Sequence, residues 1–292
     1  MPDLPKRQLG STGLQVTALG YGGSHLRGPP EDRAITEDEC ARLLNSVLDA
    51  GINFVDTARG YGISEERIGR HLAHRRSEFY LATKCSGGDL RRESIIASLN
   101  TSLSMLKTDY VDVLQFHNSP TRQALEENGA IETVRDLQRQ GKVRFIGVSG
   151  TIPQLKDHIA MGVFDTFQVP YSALRMDHEP LIREASTAGG GIIIRNGVAS
   201  GGPDRDGSPY GRSWEKGGLD ELMGGVSRME FLLRFTISHP DLDTTIVGTL
   251  SPGHLQDNVE ALLKGPLPAD VYQEAMRRAA SLDSVEALRR RG

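Results

Sequence analysis

Eight short apolar runs alternate with amphipathic helical stretches along the 292 residues, and this alternation constrains the fold more than any other feature of the chain. The runs cover residues 15–22, 53–56, 79–84, 111–117, 143–149, 166–171, 191–196 and 244–249. Several, such as Ile192-Ile193-Ile194, are apolar throughout, as parallel strands buried on both faces must be. The stretches between them carry helix signals. Thr36-x-x-Glu39 is a capping box, in which the hydroxyl accepts the third amide and the glutamate reaches back to the cap amide. Leu43, Leu44, Val47 and Leu48 then form one stripe, and Gly51 ends the helix where a positive φ costs little. Ile95, Ile96, Leu99, Leu103 and Leu106 repeat the pattern after the third run. Eight strands alternating with helices, with no break in composition, predict one domain over residues 1–292, an α/β chain folded as a (β/α)8 TIM barrel. An open doubly wound sheet competes, but its opening Gly-x-Gly-x-x-Gly turn is missing.

Two pieces stand outside the repeat. Residues 6–16 hold Leu9-Gly10-Ser11-Thr12-Gly13-Leu14, a tight turn between short apolar segments, and predict an N-terminal β-hairpin over the barrel floor. Residues 200–225, rich in glycine and charge, predict a long loop after strand seven, either a lid or a disordered segment. Lys and Arg number 34 against 38 Asp and Glu, so no global charge favours nucleic acid or an acidic membrane as partner. The tail Arg289-Arg290-Arg291 is a local exception and reads as a solvated terminus. Two cysteines, Cys40 and Cys85, make neither a disulfide framework nor a metal site. The N-terminus lacks the apolar core of a signal peptide and no run reaches the ~18 residues of a membrane span, so a soluble cytoplasmic protein is expected.

In a barrel of this kind the chemistry sits at the C-terminal ends of the strands. Asp56 closes the second run, Tyr61 follows in its loop, Lys84 closes the third and His117 the fourth. An Asp, a Lys and a His at three consecutive strand ends are costly to bury unless they pair. Singly each is weak evidence. Together, with a tyrosine five residues after the Asp, they point to acid–base chemistry.

At these residues the chain resembles the aldo-keto reductase family. Asn53-Phe54-Val55-Asp56-Thr57-Ala58, Tyr61-Gly62 and Ser64-Glu65-Glu66 look like its signature around a catalytic tyrosine. Ala82-Thr83-Lys84 and Leu114-Gln115-Phe116-His117 look like its lysine and histidine segments, and the resemblance runs from about Arg7 to about Leu263. It implies NAD(P)H-dependent reduction of an aldehyde or ketone to an alcohol, reversibly, with Asp56, Tyr61, Lys84 and His117 as the catalytic tetrad. The chemistry is consistent with those roles. Carbonyl reduction needs a hydride on carbon and a proton on oxygen. A free phenol, pKa ~10, is a weak acid, and a lysine ammonium beside it favours phenolate. At ~4 Å and an effective dielectric of ~20 that attraction is ~4 kcal/mol before desolvation. Asp56 would hold the ammonium in place, and His117 would orient the substrate oxygen.

The resemblance also implies a cofactor site. Ser149 and Gln168 match positions that bind the nicotinamide carboxamide, while the family's asparagine after that serine is Gly150 here. Gly22 and Gly23, at the end of the first run, would border the dinucleotide. Where many relatives stack an aromatic on the nicotinamide, this chain has Arg195, which can stack, reach a phosphate, or pair with a neighbouring acid. Gly248, Thr249, Ser251, His254, Asp257 and Asn258 look like the adenosine-phosphate segment; Ser251 caps, Pro252 suits the first helical position, and His254 and Asn258 share a face. NADP(H) is implied, with NAD(H) open because no Lys or Arg stands at Gly248, Leu250 or His254. The expected partner is a small carbonyl substrate, with no nucleic acid and no membrane, and oligomeric state cannot be read. Two other readings stand beside this one. One is a cofactor-binding, redox-sensing regulatory subunit on the same fold with little turnover. The other makes Lys84 a Schiff-base nucleophile.

Overall fold

The computed structural model describes residues 3–28, 35–85, 88–204 and 208–282, so the arginine tail lies outside the described residues. An antiparallel hairpin comes first, β1 (Lys6–Gln8) paired with β2 (Gln15–Thr17), Lys6 opposite Thr17. The barrel strands follow as β3 (Leu19–Gly22), β4 (Phe54–Asp56), β5 (Tyr80–Cys85), β6 (Val111–Phe116), β7 (Val143–Ser149), β8 (Thr166–Pro170), β9 (Gly191–Arg195) and β10 (Thr244–Val247). They close in the order β10-β3-β4-β5-β6-β7-β8-β9, every pairing parallel. Each of the eight runs contributes one barrel strand. The first run is corrected: residues 15–22 are two strands, one in the hairpin and one in the barrel, broken at Ala18.

The helices obey their local signals. Thr36 caps Glu37–Asp49 by accepting from Glu39 N at 3.2 Å, while Glu39 Oε2 accepts from Thr36 N at 2.8 Å. Leu43, Leu44, Val47 and Leu48 are buried, and Gly51 takes φ 91°. These faces pack on the outer side of the strands and make the larger core.

The barrel interior has its own stacking, set by the two-residue period of a strand. Phe54, Ala82, Val113 and Ile193 form a lower cluster closed from below by Leu9, Leu14 and Val16 of the hairpin. The hairpin is pinned there by Ser11 N donating to Gly189 O and Gly10 N donating to Asp243 Oδ2. Two residues further along the same strands the interior turns polar, at Asp56, Lys84, Gln115 and Arg195. Gly147 in β7 is required by this layer, since a Cβ there would sit 2.4 Å from Thr166 Oγ1 and 2.9 Å from Gln115 Cγ.

The connection after β9 is long, but not a bare loop. It holds short helical turns at Ala199–Asp204 and Leu219–Leu222 around the helix Pro209–Lys216. Trp214 and Leu219 are fully buried; the indole packs edge-on against Phe231 and donates to Asp220 at 2.8 Å. An aromatic anchor of this size holds the described part of the segment against the barrel. Among the described residues no helix is long and apolar enough to cross a membrane.

Candidate active site

The polar layer ends at the rim, and Asp56 is its hub. Its Oδ2 accepts from Lys84 Nζ at 2.5 Å, and its Oδ1 accepts from Gln115 Nε2 at 2.9 Å and Gln168 Nε2 at 2.8 Å. Lys84, fully buried, also donates to Thr57 O at 2.9 Å. A buried ion pair survives only when such hydrogen bonds satisfy the groups it takes from water. With the amine held between a carboxylate and a carbonyl, the arrangement disfavours the Schiff-base reading.

Tyr61 lies over this pair. Lys84 Nζ is 5.0 Å from the centroid of its ring, and the His117 imidazole meets that ring edge-on at 5.8 Å between centroids. All four tetrad candidates are therefore brought together, three by strand ends and one by the loop after β4. That loop is held by Glu65, which is buried and accepts from Thr83 Oγ1 at 2.7 Å and from Arg59. Burial, reinforced by the Lys84 and Arg195 charges, pushes the His117 imidazole down to about 4. It is neutral around pH 7 and can offer one N–H.

The cofactor candidates fall at the same rim. Ser149 and Gln168 are register partners on β7 and β8, and Ser149 Oγ donates to Gln168 Oε1 at 3.1 Å. Gln168 thus bridges Ser149 and Asp56. Gly150 is explained by packing: a Cβ there would lie 3.0 Å from His158 Nδ1 and 3.2 Å from Leu155 Cδ1, so His158 takes the room an asparagine would need. Gly23 and Gly248 have packing reasons too. A Cβ on Gly23 would strike Ser64 Oγ at 2.8 Å, and one on Gly248 would strike Gly22 O at 2.5 Å. Arg195 closes β9 with its Nε buried and without a hydrogen-bond partner, and among the described residues it forms no ion pair. The reading in which it pairs with a neighbouring acid is corrected accordingly, because the nearby carboxylate of Asp56 is already taken.

After β10, Ser251 caps the helix Pro252–Leu263 and accepts from His254 N at 3.3 Å, while Thr249 Oγ1 accepts from Ser251 N at 3.0 Å. His254 and Asp257 are exposed and Asn258 half-buried, one helical turn beyond His254. Sequence reasoning gave no role to Gln115. Its signal is a polar residue inside the otherwise apolar strand Val113-Leu114-Gln115-Phe116, two places after a core valine.

The aldo/keto reductase family model matches residues 18–207. The chain is 29% identical to the L-galactose dehydrogenase of Arabidopsis thaliana, over 90% of this chain and 89% of that one. It is 29% identical to the 6-dehydroglucose reductase of Novosphingobium aromaticivorans, over 90% and 93%. Among solved structures it is similar to the holo form of an aldo-keto reductase from Bacillus halodurans, at 27% identity, 97% and 99% coverage and a TM-score of 0.85.

Proposed function

The chain belongs to the aldo/keto reductase family, whose members are oxidoreductases acting on carbonyls and generally use NAD(P)H, and from that premise we propose that it reduces an aldehyde or ketone to an alcohol, reversibly, with Tyr61 as general acid. The observation that carries this reading is the buried Lys84–Asp56 pair beneath Tyr61, with neutral His117 against the ring edge. In the reduction direction the Tyr61 hydroxyl gives its proton to the carbonyl oxygen as charge develops there. The ammonium of Lys84, fixed by Asp56, stabilises the phenolate left behind. Gln115 and Gln168 hold Asp56 from the other side, so the pair cannot swing away. His117 donates one N–H toward the same oxygen.

A bound nicotinamide would supply the hydride. The residues present fit such a group: Ser149 and Gln168 offer a hydroxyl and an amide at the rim, and Arg195 closes β9, the strand next to Gln168's, with its Nε buried and unpartnered. Gly22, Gly23 and Gly248 would border the dinucleotide. Thr249, Ser251, His254, Asp257 and Asn258 would face its adenosine end, with NADP(H) favoured by the family and NAD(H) open for want of a Lys or Arg there. The test is titration with NADPH and NADH followed through the single tryptophan, then a carbonyl screen. Tyr61→Phe should bind cofactor normally and lose ~10²–10⁴-fold in turnover. Near-normal turnover in that variant would remove the assignment.

A further inference from the structure

We infer that the carbonyl substrate of this site carries an oxyanion group, typified by a carboxylate, and that Arg195 receives it; the inference rests on the carbonyl-reductase reading above. It begins with strand periodicity. Ile193 belongs to the interior cluster with Phe54, Ala82 and Val113, so Arg195, two residues on, faces the same interior at the level of Asp56, Lys84 and Gln115. Its register partners, Pro170 on β8 and Ile246 on β10, fix it at the rim.

At that level the acids are committed. Asp56 accepts from Lys84, Gln115 and Gln168; Glu65 accepts from Thr83 and Arg59. Asp177, on the loop after β8, has a partner of its own, with its Oδ2 buried and not hydrogen-bonded, and it forms no ion pair with Arg195. Two further guanidinium groups, each with a partner of its own, stand nearby. The Arg27 guanidinium carbon is 5.5 Å from the centroid of the Tyr61 ring, and the charge of Arg175 acts on Arg195. Burial, then the Arg175 and Arg195 charges, hold the nearby His178 imidazole down at about 3, so it stays neutral and offers Arg195 no counter-charge. A largely buried guanidinium without an ion-pair partner is expensive, and like-charged neighbours raise the cost, with the already engaged Asp56 the only carboxylate acting against it. An incoming carboxylate removes it, and the planar fork of Arg195 suits two parallel bonds to one.

The location argues for the substrate as source. Arg195 acts electrostatically on His117 and feels the Tyr61 hydroxyl, the groups that meet the reacting carbonyl. A phosphate of the cofactor is the other source of the same chemistry, and the experiment separates the two.

KM is measured with NADPH for 4-carboxybenzaldehyde and for the matched neutral ester, methyl 4-formylbenzoate, in wild type, Arg195→Gln and Arg195→Lys. NADPH affinity and benzoate binding to the cofactor-loaded protein are measured by calorimetry. In wild type the acid should have a KM about ten- to a hundredfold below the ester, and benzoate should bind. Arg195→Gln should bring the KM ratio to about one and abolish benzoate binding, while Arg195→Lys keeps part of both. If wild type reduces both aldehydes with equal KM, the inference fails and the carbonyl-reductase reading stands. If Arg195→Gln weakens NADPH binding but leaves the aldehyde ratio intact, the anion is the cofactor's and the inference fails. If neither aldehyde oxidises NADPH or NADH, both readings fall.

Discussion

Asp243→Asn should stabilise this protein at neutral pH, by an amount that its surroundings define. Asp243 precedes β10 and is largely buried under the hairpin; its Oδ2 alone accepts both Gly10 N at 3.0 Å and Ile192 N at 2.8 Å. Oδ1 is therefore free to carry a proton without breaking either bond. Burial pushes this carboxyl up to about 6, against the pull of the two amides and Arg7. In the unfolded chain the same group titrates near ~3.9. Between those values the native protein holds a proton that the unfolded chain has released. The stability this carboxyl contributes is thus fully present below pH ~4 and is lost as pH rises to about 6, and the gap between the two pKa values corresponds to about 3 kcal/mol. Asparagine stays neutral, and its side-chain oxygen can accept both amides. Urea unfolding of wild type and Asp243→Asn, followed by circular dichroism from pH 4 to 7.5, should show the variant gaining about 3 kcal/mol relative to wild type over that range. Asp165, also pushed up by burial, contributes equally to both proteins and cancels. A difference that stays constant across the range, or a variant less stable than wild type at pH 7.5, would refute the argument. Asp243→Ala is the control, because it leaves two amides unpaired and should be ~2–4 kcal/mol less stable than Asp243→Asn at any pH.

Three further outcomes are expected. Lys84→Met removes the charge 5.0 Å from the Tyr61 ring, so alcohol oxidation should move to higher pH; an unchanged pH–rate profile would mean the lysine does not act through the tyrosine. His117 should titrate near 4 by NMR, with no break in reductase rate near pH 6.5, and wild type should lose stability below pH 6.5 relative to His117→Gln, since the unfolded chain takes up a proton the native imidazole refuses. His254→Arg puts a permanent cation at a helix start where Ser251 already occupies the His254 amide, and should tighten NADPH about tenfold with NADH little changed; equal tightening of both would show that the arginine does not meet the 2′-phosphate.

The architecture was legible in the residues alone, because it is written in local periods. Ile192-Ile193-Ile194, β-branched throughout and followed by Asn196-Gly197, reads as a strand covered on both sides, and Thr36-x-x-Glu39 closes its own cap within four residues. The positions of Asp56, Lys84 and His117 at strand ends were legible for the same reason. The division of residues 15–22 at Ala18 was not, since a hairpin strand and a barrel strand share one apolar pattern and differ only in their partners. Nor was the packing of residues 208–222, where a single indole finds Phe231 and Asp220. Tertiary structure alone decided what each polar side chain meets. Asp56 and Gln168 are 112 residues apart, and no local rule joins them. They touch because the barrel closes and parallel register lifts one interior residue of each strand to the same height. That closure gives Lys84 its carboxylate, gives Gln115 a task no spacing announces, and leaves Arg195 at the rim with no ion-pair partner among the described residues.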